Sequence, residues 1–185
     1  MNLAQPIQES SFVQGLSLSA KQHNIAIQVG LHEPTTPPSS KILNTLLWIS
    51  PSGQILEETR YKKLHLFNID LSGSGGPVMK ESNTTVAGEE IVDPTDTVVG
   101  KVGSQICFDL RFPEPAIRLR RLGARIVVYP SAFTVPTGAM GHVSLLLLLL
   151  FSTFAPHVCR SIPVLLTPSS GKFCFELGQS RLSAT

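Results

Sequence analysis

The chain is expected to fold as an α/β protein, and three observations carry that expectation. Residues 98–108, 113–122 and 125–129 read in order as strand, helix and strand. The last of these, Arg125 to Tyr129, is continuously apolar after its first residue, the pattern of a strand covered on both faces. Upstream, Ile25, Ile27, Val29 and Leu31 alternate with Ala26, Gln28 and Gly30, which is the period of a strand with small residues on its second face. Together they suggest a buried sheet with helices outside.

The elements follow in chain order. Glu9 to Asn24 reads as a helix that Ser10 or Ser11 can cap, with Phe12, Leu16 and Ala20 on one face. Gly15 weakens it slightly. The Ile25–Leu31 strand runs into a Pro/Thr/Ser loop over His32 to Ser40. Ile42 to Ser50 and Gln54 to Tyr61 read as a hairpin turning at Pro51-Ser52-Gly53. Residues 68–97 are rich in Gly, Ser, Asp and Asn and are expected to be long and irregular; such a loop in a compact domain is usually functional. Val98 to Phe108 is apolar and β-branched, hence a strand. Pro113 and Pro115 suit the first turn of a helix that Gly123 ends.

Composition narrows the class. The chain has 185 residues, enough for one domain with a sizeable core. Hydrophobic residues make up 42% and charged residues 15%, which fits a globular chain and not a disordered one. The net charge of +2 comes without a basic run, so nothing points to nucleic acid. Cys107, Cys159 and Cys174 are widely spaced and form neither a metal pattern nor a disulfide framework. A reduced, intracellular setting is the default, since Met1 to Pro6 has no basic or apolar leader character. Leu145 to Phe151 is strongly apolar but too short to span a bilayer, so no membrane role is expected.

Cys107 is the first candidate for chemistry. It falls where a strand ends and the chain turns toward a helix. A thiol there points out of a sheet edge, near backbone N–H groups that stabilise an anion. It also fits a small apolar residue buried in a strand. Three ionisable groups could work with it. Lys63, in Tyr61-Lys62-Lys63-Leu64-His65-Leu66-Phe67, has apolar neighbours and could stabilise an oxyanion, or be a solvated strand-end lysine. His65 could serve as the base of a Cys–His pair, or be a half-buried structural histidine. Glu81, in Lys80-Glu81-Ser82-Asn83, could orient the lysine or move a proton, or be a solvated loop carboxylate.

Several stretches in order carry a resemblance. They are the segment 61–67, then 80–83, then Ile106-Cys107-Phe108-Asp109-Leu110-Arg111-Phe112-Pro113-Glu114, then Tyr129-Pro130-Ser131-Ala132-Phe133-Thr134 through Thr137-Gly138. Val29-Gly30-Leu31-His32-Glu33-Pro34 fits an earlier strand and loop. Over roughly residues 3–142 the chain resembles the nitrilase, or carbon–nitrogen hydrolase, superfamily, in its Nit-type amidase branch near the deaminated glutathione amidases.

The resemblance implies Cys107 as nucleophile, with Lys63 and the backbone N–H of Phe108 stabilising the tetrahedral oxyanion. Glu81 would be the supporting glutamate, His65 structural, and Glu33 without an assigned chemical role. The implied reaction is thiolate attack on the amide of a small carboxylate-bearing compound, loss of ammonia, and hydrolysis of a thioester. No metal or organic cofactor is implied. The implied fold is a four-layer α-β-β-α sandwich that forms homo-oligomers when intact, here incomplete at both ends. The expected location is cytoplasmic, with a mitochondrial one left open. A Cys–His hydrolase using His65 is disfavoured, because no orienting partner for it is evident in the sequence.

Two departures from the family qualify this. Its general base is a glutamate on a strand end upstream of the region where this chain begins; only Glu9 precedes Glu33, and it sits at a helix start. The chain is therefore expected to be inactive or nearly so, and a non-catalytic product that at most associates with intact subunits is the alternative. The likeness also stops at His142, where the family continues with a helix reading His-Trp-Glu-x-Leu-Leu-Arg-Ala-Arg-Ala-Ile-Glu. Val143-Ser144 can be encoded by GTGAGT, a typical intron start, and Ser170 by AGT, so that an intron-ending AG is followed by T. Shifted by one base, 171–185 can then read Trp-Lys-Val-Leu-Leu-Arg-Ala-Arg-Ala-Ile-Glu-Thr-Glu-Cys-Tyr, joined directly after His142. Residues 1–142 are thus expected to be a partial family domain. Residues 143–185 are expected to be a poorly ordered tail, intron-derived and then out of frame, loosely helical at most over 145–154.

Overall fold

The computed structural model describes residues 4–35 and 40–132, and the backbone of 172–173. The expectations for 133–142 and for the tail, including the leucine run, lie outside the described residues, apart from that backbone pair.

Helix α1 spans Ser11–His23. It starts where the Ser10 hydroxyl accepts from the Val13 amide and ends at Asn24, whose φ of 51° is left-handed. The expected first turn from Glu9 is instead a separate 3-10 turn, Ile7–Glu9. The buried stripe is Val13, Leu16 and Ala20, and Phe12 is 59% exposed. Helical geometry explains the correction. Eight residues advance about 800°, leaving Phe12 about 80° round from Ala20, whereas Val13 lies within about 20° of it.

Strands β1 (Ile27–Pro34), β2 (Ile42–Ile49) and β3 (Ile55–Lys62) form an antiparallel sheet in that order. The hairpin turns where expected, and Gly53 there has φ 84°; a side chain at this position would run into the Ser17 carbonyl of α1. Strand β1 starts two residues later than Ile25 and continues through His32 and Glu33 to Pro34, which the sequence suggested as loop. Side-chain alternation then sorts the two faces. Leu47, Ile49, Ile27, Val29 and Leu31 pack with Ile7, Val13 and Ala20 under α1. Leu46 and Tyr61 point the other way, onto Ile106.

Residues 68–97 are more regular than expected. Strands β4 (Asn68–Asp70) and β5 (Val78–Lys80) form a small hairpin, and β6 (Thr85–Val86) lies parallel to β2. The Asp70 carboxylate accepts from the Ser72 amide and hydroxyl, which closes the hairpin's turn locally.

Strands β7 (Thr95–Thr97), β8 (Gly100–Ser104) and β9 (Ile126–Val128) form the second sheet, with β8 and β9 parallel. The strand expected from Val98 begins only at Gly100. Val98 and Val99 make an exposed turn in which Gly100 takes φ 108°. The strand also ends early, at Ser104, before a 3-10 turn, Cys107–Arg111. Helix α2, Pro113–Arg121, returns the chain to β9 and buries Leu119 against Ala124, Val127 and Tyr129. Gly103 makes that packing close, since a Cβ there would sit 2.9 Å from Leu119 Cδ1.

The two sheets face each other. The Gln28 amide donates to Ser104 Oγ at 2.8 Å across the gap, and Gly30 lies against Pro130. The layer order is α1, first sheet, second sheet, α2, the α-β-β-α order expected. Beyond β9, β10 (Ser131–Ala132) pairs with the backbone of β11 (Lys172–Phe173).

Candidate active site

Cys107 lies three residues past the end of β8, at the start of the 3-10 turn, and its backbone is unusual. Its φ is 47°, a left-handed conformation that costs a non-glycine residue on the order of 1 kcal/mol. Its N–H donates to the Pro130 carbonyl at 3.0 Å, tying the turn to the strand that follows α2.

Asp109 holds this turn from beneath. It is wholly buried, and its carboxylate accepts four hydrogen bonds. Oδ2 takes the Tyr61 hydroxyl at 2.7 Å and the Ile106 amide at 2.9 Å. Oδ1 takes the His65 amide at 2.8 Å and lies 2.9 Å from His65 Nδ1. A buried carboxylate with this many donors is satisfied, so it can stay charged in the interior. Burial pushes the Tyr61 and Tyr129 hydroxyls well above the usual phenol range, and the Asp109 charge adds to both shifts.

Lys63 follows β3 and is 3% exposed. Its Nζ lies 2.6 Å from Glu81 Oε2, in a salt bridge between the β3 end and the turn after β5. Glu81 Oε2 also accepts from the Phe67 amide at 2.7 Å, and Oε1 from the Asn44 amide at 3.3 Å. Burial raises the Glu81 carboxyl, but the Lys63, Phe67 and Asn44 bonds outweigh it and hold the group below the usual glutamate range. Asn44 touches both partners, because its carbonyl also accepts from the Lys63 N–H at 2.9 Å.

These side chains meet in one cavity of about 530 Å³. Cys107, Lys63 and Glu81 line it together with Phe108, so the four residues that the family resemblance implied for the chemistry border one cavity. The rest of the wall is mainly apolar, from Phe67, Met79, Leu110 and Ala132. Two of its aromatic rings touch, Phe67 meeting Phe108 edge-on at 5.2 Å, and Phe108 meets Phe112, outside the cavity lining, at 5.6 Å.

His65 and Glu33 do not line the cavity. His65 stacks on Phe112 at 3.7 Å and faces Asp109, which accounts for it as a structural residue. Glu33 is 7% exposed and lies 3.5 Å from Arg60 Nη2. Among the described residues no cluster of three or more His, Cys, Asp or Glu is placed to hold a metal ion.

Asp109, Asn44, Lys80 and Arg111 were not singled out from sequence. Asp109 lies inside the Cys107 stretch, two residues on, and a carboxylate that close to a strand end was the available signal. Lys80 and Arg111 also line the cavity. Nothing local marks Asn44, whose place beside Glu81 depends on β2 running next to β3 and β6.

The chemistry this geometry allows is nucleophilic. A thiol in a turn with left-handed φ lines a cavity that the buried Lys63 also lines.

Comparison with known proteins places the chain in a family. The carbon–nitrogen hydrolase family matches residues 2–149. The chain is 50% identical over 131 residues to a probable hydrolase, nit2, of Schizosaccharomyces pombe, covering 70% of this chain and 46% of that protein. It is 45% identical over 121 residues to the deaminated glutathione amidase of Dictyostelium discoideum, covering 64% and 40%. Among solved structures, the Caenorhabditis elegans NitFhit protein superposes with a TM-score of 0.67 at 34% identity, over 75% of this chain and 33% of that one. Saccharomyces cerevisiae Nit3, a member of branch 10 of the nitrilase superfamily, superposes with a TM-score of 0.59 at 34% identity, over 74% and 45%. The chain spans less than half the length of these relatives.

Proposed function

The chain belongs to the carbon–nitrogen hydrolase family, and from that premise we propose that its cavity is built to hydrolyse the amide of a small carboxylate-bearing compound, deaminated glutathione being one such compound. One observation carries the reading: Cys107 and the buried Lys63–Glu81 pair line a single cavity. The Cys107 thiolate attacks the amide carbonyl, and the carbon–oxygen electron pair moves to the oxygen. The Lys63 ammonium and the Phe108 N–H stabilise that oxyanion. The carbon–nitrogen bond breaks and the amine leaves with the proton that the thiol gave up. Water then attacks the thioester, one of its protons returning to the sulfur as free thiol and the other released to solvent as the carboxylate forms. Glu81 acts by positioning, since its oxygens hold Lys63, Phe67 and Asn44. No cofactor enters this scheme. The setting proposed is the cytoplasm, with assembly into homo-oligomers when the domain is whole.

A second reading, a non-catalytic chain that associates with intact subunits, draws on a specific observation. Glu81 is the one carboxylate among the described residues lining the cavity, and it is already engaged. No histidine and no second carboxylate stand among the described residues lining the cavity to take the thiol proton. We therefore expect this chain to turn over slowly at best. Residues 1–142 would be the partial domain and 143–185 an intron-derived and frame-shifted tail, which sequencing the transcript checks. A message in which the bases after His142 encode Val143 onward as the dominant form overturns that account.

Amide hydrolysis is tested by measuring ammonia or amine release. The comparison is between this chain and a version carrying the upstream family segment and the restored frame. Activity confined to the second, and lost on Cys107→Ala, supports the reading. Activity in both that is lost on Cys107→Ala overturns the claim that this chain is crippled. Activity in neither overturns the hydrolase assignment.

A further inference from the structure

His65 grips the Cys107 turn at two points. Its backbone N–H and its Nδ1 both meet Asp109 Oδ1, at 2.8 and 2.9 Å. A carboxylate only accepts, so Nδ1 carries the proton. Asp109 in turn accepts from the amide of Ile106, the residue before Cys107. The His65 ring also lies on Phe112, with centroids 3.7 Å apart and 10° between the planes. Phe112 closes the Cys107–Arg111 turn, and its N–H donates to the Asp109 carbonyl at 3.0 Å. One side chain thus holds both the middle and the end of the turn.

The same residue is tethered to the lysine. Lys63 stands two residues earlier, and its backbone is fastened to neighbouring segments on both sides. Its N–H donates to the Asn44 carbonyl at 2.9 Å, and its carbonyl accepts from the Gly88 amide at 2.8 Å. Two residues reach at most about 7 Å. Holding His65 on Asp109 therefore limits how far the Lys63 segment and the Cys107 turn can move apart. His65 is not among the described residues lining the cavity, so it acts through other groups and not as a base.

We propose that His65 is a positioning residue whose Nδ1–H bond to Asp109 sets the Cys107 turn against the Lys63 segment, so that the thiol, the Lys63 ammonium and the Phe108 N–H converge on one carbonyl group. This rests on the amide-hydrolase reading and adds a residue to it. Such spacing matters because donors lower a barrier only when they are aimed at the atom where charge develops.

The test uses the full chain and compares two reactions of Cys107. With p-nitrophenyl acetate the sulfur bonds the acetyl carbon, p-nitrophenolate leaves with the bonding pair, and the thiol proton passes to buffer. That step builds an oxyanion. With iodoacetamide the sulfur displaces iodide and no oxyanion forms. Both rates are followed by mass spectrometry of the Cys107 peptide, and their ratio reports oxyanion geometry apart from access to the thiol. His65→Phe keeps a ring for Phe112 and removes the Nδ1 donor; the acylation-to-alkylation ratio is expected to fall about ten-fold. His65→Asn gives up the stack but keeps a donor near the Nδ1 position, and is expected to restore most of the ratio. His23→Phe, at the exposed end of α1, is expected to leave it unchanged. An unchanged ratio in folded His65→Phe overturns the proposal, because a merely structural role moves both rates together. A fall that His65→Asn does not restore also overturns it. Where His65→Phe does not fold, nitrogen NMR of the histidine-labelled unmodified chain decides: a protonated Nδ1 on His65 supports the proposal and a bare one overturns it. These adverse results leave amide hydrolysis standing. Failure of p-nitrophenyl acetate to acylate Cys107 in the unmodified chain, with alkylation intact, overturns the amide-hydrolase reading and this proposal with it.

Discussion

The Tyr61 hydroxyl donates to Asp109 Oδ2 at 2.7 Å, joining the end of β3 to the turn that carries Cys107. Tyr61 belongs to the first sheet and Asp109 follows the second, so this bond ties the two sheets together beneath the cavity. Both residues are fully buried. Tyr61→Phe keeps the ring and removes one of four donors to a buried carboxylate. It is expected to cost about 1–3 kcal/mol in urea unfolding. Asp109→Ala strands four donors and frees Cys107 from its left-handed turn. Its expected cost is about 3–5 kcal/mol, with slower Cys107 alkylation.

Tyr61 and Tyr129 are the only tyrosines in the chain. Both hydroxyls are shifted above the usual phenol range, first by burial and then by Asp109. A raised folded-state pKa means stability is full below the ordinary tyrosine range and declines as pH climbs above it. Phenolate absorbance is therefore expected to appear in one step with loss of the far-ultraviolet circular dichroism. A tyrosine that ionises in the folded chain, before that transition, would contradict the placement.

The Glu81 carboxyl is shifted the other way. Burial alone would raise it, but its bonds from Lys63, Phe67 and Asn44 prevail. A depressed folded-state pKa gives stability that is present above the ordinary glutamate range and is lost as pH falls through the folded value. The stability difference between the unmodified chain and Glu81→Gln should be flat above about pH 5 and shrink toward acid. A difference independent of pH would mean that the carboxylate form is not what holds Lys63.

Lys63→Met removes the buried ammonium while keeping most of the apolar stem. In the version with the upstream segment and restored frame, acylation of Cys107 by an amide substrate should slow roughly 100- to 1000-fold. Substrate protection against alkylation should change little. A comparable loss in both measurements would indicate a binding role and not oxyanion stabilisation.

Gly88 lies where Lys63 leaves β3. Its N–H donates to the Lys63 carbonyl at 2.8 Å, and an added Cβ would collide with the backbone of Lys62. Gly88→Ala is expected to cost about 1–3 kcal/mol and to lower the rate of Cys107 acylation with it, because the strand end must move. Full stability and an unchanged rate would show that the Gly88–Lys62 crossing can open to admit a methyl group.

Much of this molecule was legible without coordinates, and the failures have identifiable causes. Period-two alternation located β1, the Pro51-Ser52-Gly53 turn located the β2–β3 hairpin, and the prolines and Gly123 bracketed α2 closely. Phe12 was misassigned because an i, i+4, i+8 count drifts off a 3.6-residue stripe. Val98 and Val99 were read as strand on propensity, but the bonds of Thr97 and the left-handed Gly100 turn the chain there. Residues 68–97 looked irregular because strands of two or three residues carry too few positions for a period.

The order and chemical type of Tyr61, Lys63, Glu81, Cys107 and Asp109 were set by the sequence alone, and that order pointed to the family. A nucleophile, a cation and a carboxylate each leave a local trace in their neighbours. Which of them face one another was decided only when two sheets stacked, because contacts between residues 18 to 48 positions apart leave no local periodicity. That stacking buried Asp109 under the Cys107 turn, while the pairing of β6 beside β2 and the β4–β5 hairpin brought Glu81 onto Lys63.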